Sequence, residues 1–105
     1  MIKINFSQSN AGITEFTVSG HATFGHKDTQ GKIICSAVSS AVYLTANTLT
    51  EVLGAKVNCT DSGNAFKLEL LSKFDESQVT LKGFKLHVTE LSKQYPKNIT
   101  VSSEV

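Results

Sequence analysis

A two-layer α+β fold, with one sheet and both helices on one face of it, is predicted by three observations. Short stretches of strictly alternating apolar and polar residues read as strands, two longer stretches switch to helical spacing, and these periods follow one another as β-β-α-β-β-α-β. Strands with one apolar face need a cover, and two amphipathic helices supply it.

Each element can be justified in order. Ile2, Ile4 and Phe6 alternate with Lys3, Asn5 and Ser7, and Ser9-Asn10-Ala11-Gly12 supplies turn residues. Ile13 to Ser19 resumes the alternation with Phe16 and Val18 inward, so the chain opens on a hairpin. Residues 21–32 show no period, and a connection of that length in a small domain is more often functional than incidental. Gly25 and Gly31 bracket it as hinges.

From Ile33 the spacing is helical: Ile34, Val38, Ala41, Thr45, Leu49 and Val52 share a side, Val42 and Leu53 lie beside them, and Gly54 is a natural C-cap. Val57 and Cys59 then alternate with Asn58 and Thr60, Asp61-Ser62-Gly63-Asn64 turns the chain, and Phe66, Leu68 and Leu70 complete a second hairpin. On this pattern Cys59 faces the core as filler. Ser72 and Asp75 resemble a capping box for a second helix, in which Leu81, Phe84, Val88, Leu91 and Tyr95 form the apolar stripe and Pro96 stops it. Gly83 within that helix, costing about 1 kcal/mol relative to alanine, implies close approach of a neighbouring element. Asn98 to Ser102 forms the last strand, and residues 1–105 read as a single domain.

Composition excludes several classes. With 40% hydrophobic and 18% charged residues the chain is an ordinary globular one, and a net charge of +1 gives no overall electrostatic footprint for nucleic acid. No apolar run suggests a membrane span and no N-terminal pattern suggests a signal peptide, so a cytoplasmic protein is expected. There, Cys35 and Cys59 are expected as reduced thiols; no C-x-x-C spacing points to zinc or redox work.

The chemistry concentrates in Gly20-His21-Ala22-Thr23-Phe24-Gly25-His26-Lys27-Asp28-Thr29-Gln30-Gly31-Lys32-Ile33-Ile34-Cys35-Ser36-Ala37-Val38-Ser39-Ser40. It leaves a strand, crosses the loop, and brings Cys35 to the expected first turn of a helix. Helix N-termini and nearby imidazoles stabilise thiolates, which makes Cys35 a candidate nucleophile and His21 a candidate general base. Against this, a cysteine can be inert core filler and a histidine can simply end a strand. His26 reads as solvated or substrate-contacting, and His87 as exposed. Irregular spacing among His21, His26, Asp28 and Cys35 argues against a metal site, and the loop has the spacing of neither phosphate-binding fingerprint. Ser39 and Ser40 suit tight helix packing. No cofactor is expected.

Gly20-His21-Ala22 after a strand, and Ile33-Ile34-Cys35-Ser36-Ala37-Val38-Ser39 after the loop, resemble the signature of the ribosomal-processing cysteine proteases, the Prp family. The resemblance implies a Cys35–His21 dyad and a homodimer. It also implies a precursor of a large-subunit ribosomal protein as substrate, its N-terminal extension removed after an aromatic residue. On this reading Ala22, Phe24, Gly25, His26, Asp28 and Gly31 form the loop that closes on the peptide, and N–H groups at Cys35 and Ser36 hold the oxyanion. Family members usually carry an acid where this chain has Lys32, leaving Asp28 as the nearest carboxylate, and Ser36 replaces the usual alanine. The alternatives are a non-catalytic module binding ribosomal protein or RNA, with a structural Cys35, and a redox or acyl-transfer thiol protein, disfavoured because no resolving cysteine lies nearby.

Overall fold

The computed structural model describes residues 1–21 and 27–104. Strands β1 (Ile2–Ser9) and β2 (Gly12–Ser19) lead to helix α1 (Thr29–Asn47), which continues into a wider turn at Thr48–Val52. Then come β3 (Val57–Asp61), β4 (Ala65–Leu70), helix α2 (Phe74–Gln94) and β5 (Ile99–Glu104). The expected β-β-α-β-β-α-β order holds. The strands form one sheet in the order β3-β4-β2-β1-β5, antiparallel except for the β1–β5 pair, which the crossover through α2 makes parallel.

Both helices cover the same sheet face. Alternation sends Ile4, Phe6, Ile13, Phe16 and Leu68 beneath them, and Leu81 and Val88 come down from α2, all fully buried. Each such side chain contributes about 1.5–3 kcal/mol on leaving water. Phe6, Phe16 and Phe84 meet as a triangle with ring centroids 4.7–6.1 Å apart, tilted as aromatic quadrupoles prefer.

One irregularity ties sheet to helix. The β1–β2 register moves from Ser7 opposite Glu15 to Gln8 opposite Ile13, leaving Thr14 as an extra residue. The β2–β4 pairing runs from Glu15 to Ser19, so on that side Ile13 lies beyond it. Buried Gln78 of α2 stands in for the strand: the Ile13 N–H donates to its Oε1 at 2.7 Å, and its Nε2 donates to the Ile13 carbonyl at 2.8 Å. Gly12 (φ +115°) leaves room for that side chain, since a Cβ there would collide with Gln78.

Several sequence expectations are corrected. α1 begins at Thr29 instead of Ile33, because the Asp28 Oδ1 accepts the Gly31 N–H at 2.9 Å and caps the helix four residues earlier. Val52 is exposed instead of inward: the wide turn pairs the Leu53 N–H with the Thr48 carbonyl and shifts the phase of the stripe. Ser72 does not cap α2; its Oγ accepts the Lys56 N–H at 2.7 Å, and the cap position falls to Lys73 in a left-handed conformation without a side-chain cap. Gly83 meets no neighbour and lies exposed in a shallow groove between the helices. The run Thr29–Val52 is long and apolar enough by length and composition to cross a membrane, at a mean hydropathy of 1.3, where the sequence pattern predicts no span. Here Ile34, Val38 and Leu49 of that run enter the core, and a helix packed on a sheet passes the same test. Thr45 is buried within it but satisfied, its Oγ1 donating to the Ala41 carbonyl at 2.8 Å.

Candidate active site

β2 ends in a turn that only glycine fits. Gly20 takes φ +82°, and a Cβ there would collide with the Met1 carbonyl. Its N–H donates to the Asn64 carbonyl at 3.3 Å, tying the end of β2 to the turn between β3 and β4. His21 follows immediately and is exposed. The expected loop residues Ala22, Phe24, Gly25 and His26 lie outside the described residues. Asp28, expected in the same loop, is the cap of α1, and Gly31, expected as a hinge, is buried in that helix's first turn.

Cys35 is half-buried on α1, packed at the margin of the core. With the helix starting at Thr29, it stands in the second turn instead of the first. Inside an α-helix each N–H pairs with the carbonyl four residues back, so the Cys35 and Ser36 amides face Gly31 and Lys32 within α1. Ser36 is exposed and Ser39 sits one turn above the thiol. Among the described residues no three His, Cys, Asp or Glu side chains gather as a metal site.

Beyond that turn, a groove of about 370 Å³ lies between α1 and the sheet. Val38, Ser39 and Val42, at three, four and seven residues past Cys35, share its helix face and line one wall; Val18 and Phe66 form part of the other. Val18 lies three residues before His21, so the groove joins the strand that carries the histidine to the helix that carries the thiol. Asp61 lies at the end nearer Gly20, and its Oδ1 accepts the Gly63 N–H at 2.9 Å.

The groove holds what sequence reasoning missed. Cys59, expected to fill the core, is exposed on β3 and lines the groove, because β3 is the outermost strand and lies beyond the helices' cover. Partial burial pushes its thiol up from the usual cysteine value. Alternation does reveal that Cys59 faces the helix side; nothing in it reveals that the strand lies at an edge.

The structure thus sets Cys35 on α1, His21 just past the end of β2, and a groove whose walls come from that helix and that strand. Residues 1–100 match the family model described as Cysteine protease Prp, and the chain belongs to that family: it is a cysteine peptidase. No curated protein matches it by sequence. Among solved structures, the ribosomal processing protease Prp from S. aureus with a covalently linked product peptide superposes at a TM-score of 0.87 with 19% identity, over 99% of this chain and 100% of that one. The same protease with a substrate peptide gives 0.86 at 18% identity, with the same coverage. SMU.848 from Streptococcus mutans gives 0.87 at 23% identity, over 98% of this chain and 93% of that one. These likenesses establish the shared fold.

Proposed function

We propose that this chain, a single domain working in the cytosol without a cofactor, removes a short N-terminal extension from the precursor of a large-subunit ribosomal protein. Cys35 is the nucleophile and His21 the base. The observation that carries the reading is the placement of Cys35 on the α1 face that opens into the groove, in a chain matched over residues 1–100 by a cysteine-protease family. Support comes from structural neighbours described as ribosomal processing proteases and captured with product and substrate peptides.

His21 takes the thiol proton, the sulfur attacks the scissile carbonyl, and the C–N bond breaks as His21 protonates the leaving amine. Water, deprotonated by His21, then cleaves the thioester and the proton returns to sulfur. The oxyanion needs donors that α1 does not already pair, and the Cys35 and Ser36 amides are paired within it. Ala22, Phe24, Gly25, His26, Asp28 and Gly31 are the residues this reading assigns to holding the peptide.

The test is cleavage of a peptide spanning the precursor's N-terminal extension. Wild type cuts it, and both Cys35→Ala and His21→Ala lose the activity; alkylation of Cys35 also slows in His21→Ala. A folded wild type that leaves its own precursor peptide intact overturns the assignment in favour of a binding module.

A homodimer completes the reading, seated on the face between α1 and α2. Leu44 and Val79 project there at 71% and 81% exposure, beside the small residues Ala37, Ala41 and Gly83. Between Lys32 and Glu51 α1 carries no charge, so two copies can meet along it without like charges opposed. Light scattering is expected to give twice the 11.3 kDa chain mass, and the single-chain mass for Leu44→Lys with Val79→Lys. A wild type of single-chain mass at tens of micromolar removes this part of the proposal.

A further inference from the structure

We infer that Asn64 is the positioning residue for His21: its side-chain amide oxygen accepts the N–H of the imidazole nitrogen turned away from the sulfur, and so aims the ring at Cys35. The inference rests on the reading of His21 as the base and adds the group that holds it.

An exposed imidazole needs such a group. As general base it ends the first proton transfer with a proton on each nitrogen, so one N–H faces the reacting atoms and the other requires an acceptor. Water can accept that bond without fixing the ring, and a base that swings loses the alignment on which its contribution depends. His21 is exposed just past the end of β2, so packing does not lock it.

The sheet puts Asn64 beside it. The β2–β4 ladder ends with Ser19 opposite Ala65, and the Gly20 N–H donates to the Asn64 carbonyl at 3.3 Å, which carries the pairing one step further. Residues opposed in an antiparallel pair have Cα atoms about 4.5–5.5 Å apart, so Asn64 faces Gly20 and lies one residue from His21. Alternation from Phe66 turns Asn64 to the helix side of the sheet, and it lines a small hollow with Val18, Gly20 and Phe66. At Gly20 the positive φ bends the chain out of the strand, and His21 leaves the alternation that would carry it to the opposite face.

The turn between β3 and β4 leaves this side chain unused. Asp61 Oδ1 accepts the Gly63 N–H at 2.9 Å, while Ser62 Oγ accepts the Ala65 N–H at 3.2 Å and donates to the Ala65 carbonyl at 3.3 Å. Those bonds close the turn, and Asn64 makes no side-chain hydrogen bond among the described residues. Nor does the backbone ask for asparagine there: the positive φ of the turn, +87°, belongs to Gly63. Asparagine serves imidazoles in this way in Cys–His–Asn hydrolases of unrelated fold. Asp61 is the rival acceptor on the same hollow, but β4 separates its strand from β2 and Gly63 already engages one of its oxygens.

Two measurements test the inference, one of them without catalysis. In Cys35→Ser the His21 ring is titrated by NMR, its signal assigned by its loss on adding His21→Gln. Asn64→Asp sets a carboxylate against the ring, and the midpoint is expected to rise by about 0.5–1 in pH, discounted for exposure from the roughly 1–3 found beside a close unlike charge. Asp61→Asn moves it less. An unmoved midpoint in Asn64→Asp overturns the inference, and a larger movement in Asp61→Asn does so by giving the role to Asp61.

Kinetics on the precursor peptide supply the second. Asn64→Ala is expected to lower kcat about tenfold with KM and the thermal unfolding midpoint unchanged, as a misaimed base loses part of its roughly 10²–10⁴-fold contribution. Asn64→Asp recovers most of that loss, since a carboxylate accepts the same N–H. A turn-forming role alone would lower the unfolding midpoint in Asn64→Ala and gain nothing from Asn64→Asp. That result overturns the inference, as does a change confined to KM, which makes Asn64 a peptide contact. The catalytic reading fails separately. A midpoint that rises in Asn64→Asp with no cleavage by wild type keeps the contact and removes the base, whereas cleavage lost in His21→Ala and intact in Asn64→Ala keeps the enzyme and removes Asn64.

Discussion

The two hairpins look alike in sequence and behave differently in the molecule. β1–β2 and β3–β4 each alternate apolar with polar residues across a short turn, and each is followed by a helix. The first lies at the middle of the sheet, so Ile4, Phe6, Ile13 and Phe16 are fully buried. In the second, β4 still contributes buried Leu68 and Leu70, but β3 lies at the margin and Cys59 is exposed. Equal patterning thus yields core in one place and groove in the other. The helices are wide enough to cover four strands, and what the fifth turns toward them becomes an accessible surface. On the proposed reading the peptidase uses that gap.

The comparison can be broken by truncation. Phe16→Ala removes a ring in contact with Phe6, Phe66 and Phe84 and is expected to cost about 3–5 kcal/mol, whereas Cys59→Ala at the edge changes stability by less than about 0.5 kcal/mol. Urea unfolding followed by circular dichroism measures both in one series. Similar losses at the two positions would show that β3 is as covered as β2. Gln78→Ala sharpens the contrast at the other end of β2, where a helix side chain replaces a strand partner. It strands the buried Ile13 N–H and C=O at an expected cost of about 1–3 kcal/mol for each group left without a partner. A loss below about 0.5 kcal/mol would mean that water reaches Ile13, and that the central hairpin is less sealed than its burial indicates.

How much of this was legible depends on the range of the interaction. Strands and helices are local, and their periods can be read from residues two to four apart; hence the element order and the stripe Leu81, Phe84, Val88 of α2. Boundaries were less legible, because caps compete. Asp28 accepts the Gly31 N–H and starts α1 early, while Ser72 is drawn away from α2 by the Lys56 amide sixteen residues upstream. Gly83 illustrates a wrong inference from a correct rule: a helical glycine does allow close approach, but here it faces an open groove. The motif singles out Cys35 and His21 as the proposed pair, and His87 was legible through its place off the stripe, where it is indeed exposed. The turn of the helix that Cys35 occupies was not, since one cap four residues earlier moved it.

By itself, then, the sequence determined which segments alternate and which coil, which faces are apolar, and where a thiol and an imidazole flank a long connection, because period and residue chemistry are properties of neighbouring residues. Only the tertiary structure decided that β5 pairs with β1, that β3 is left at an edge, and that Val52 and Cys59 face out of the core. Those outcomes depend on strand order, on the phase shift at Thr48–Val52, and on how far two helices reach across five strands. They are contacts between residues distant in the chain, which no local pattern encodes.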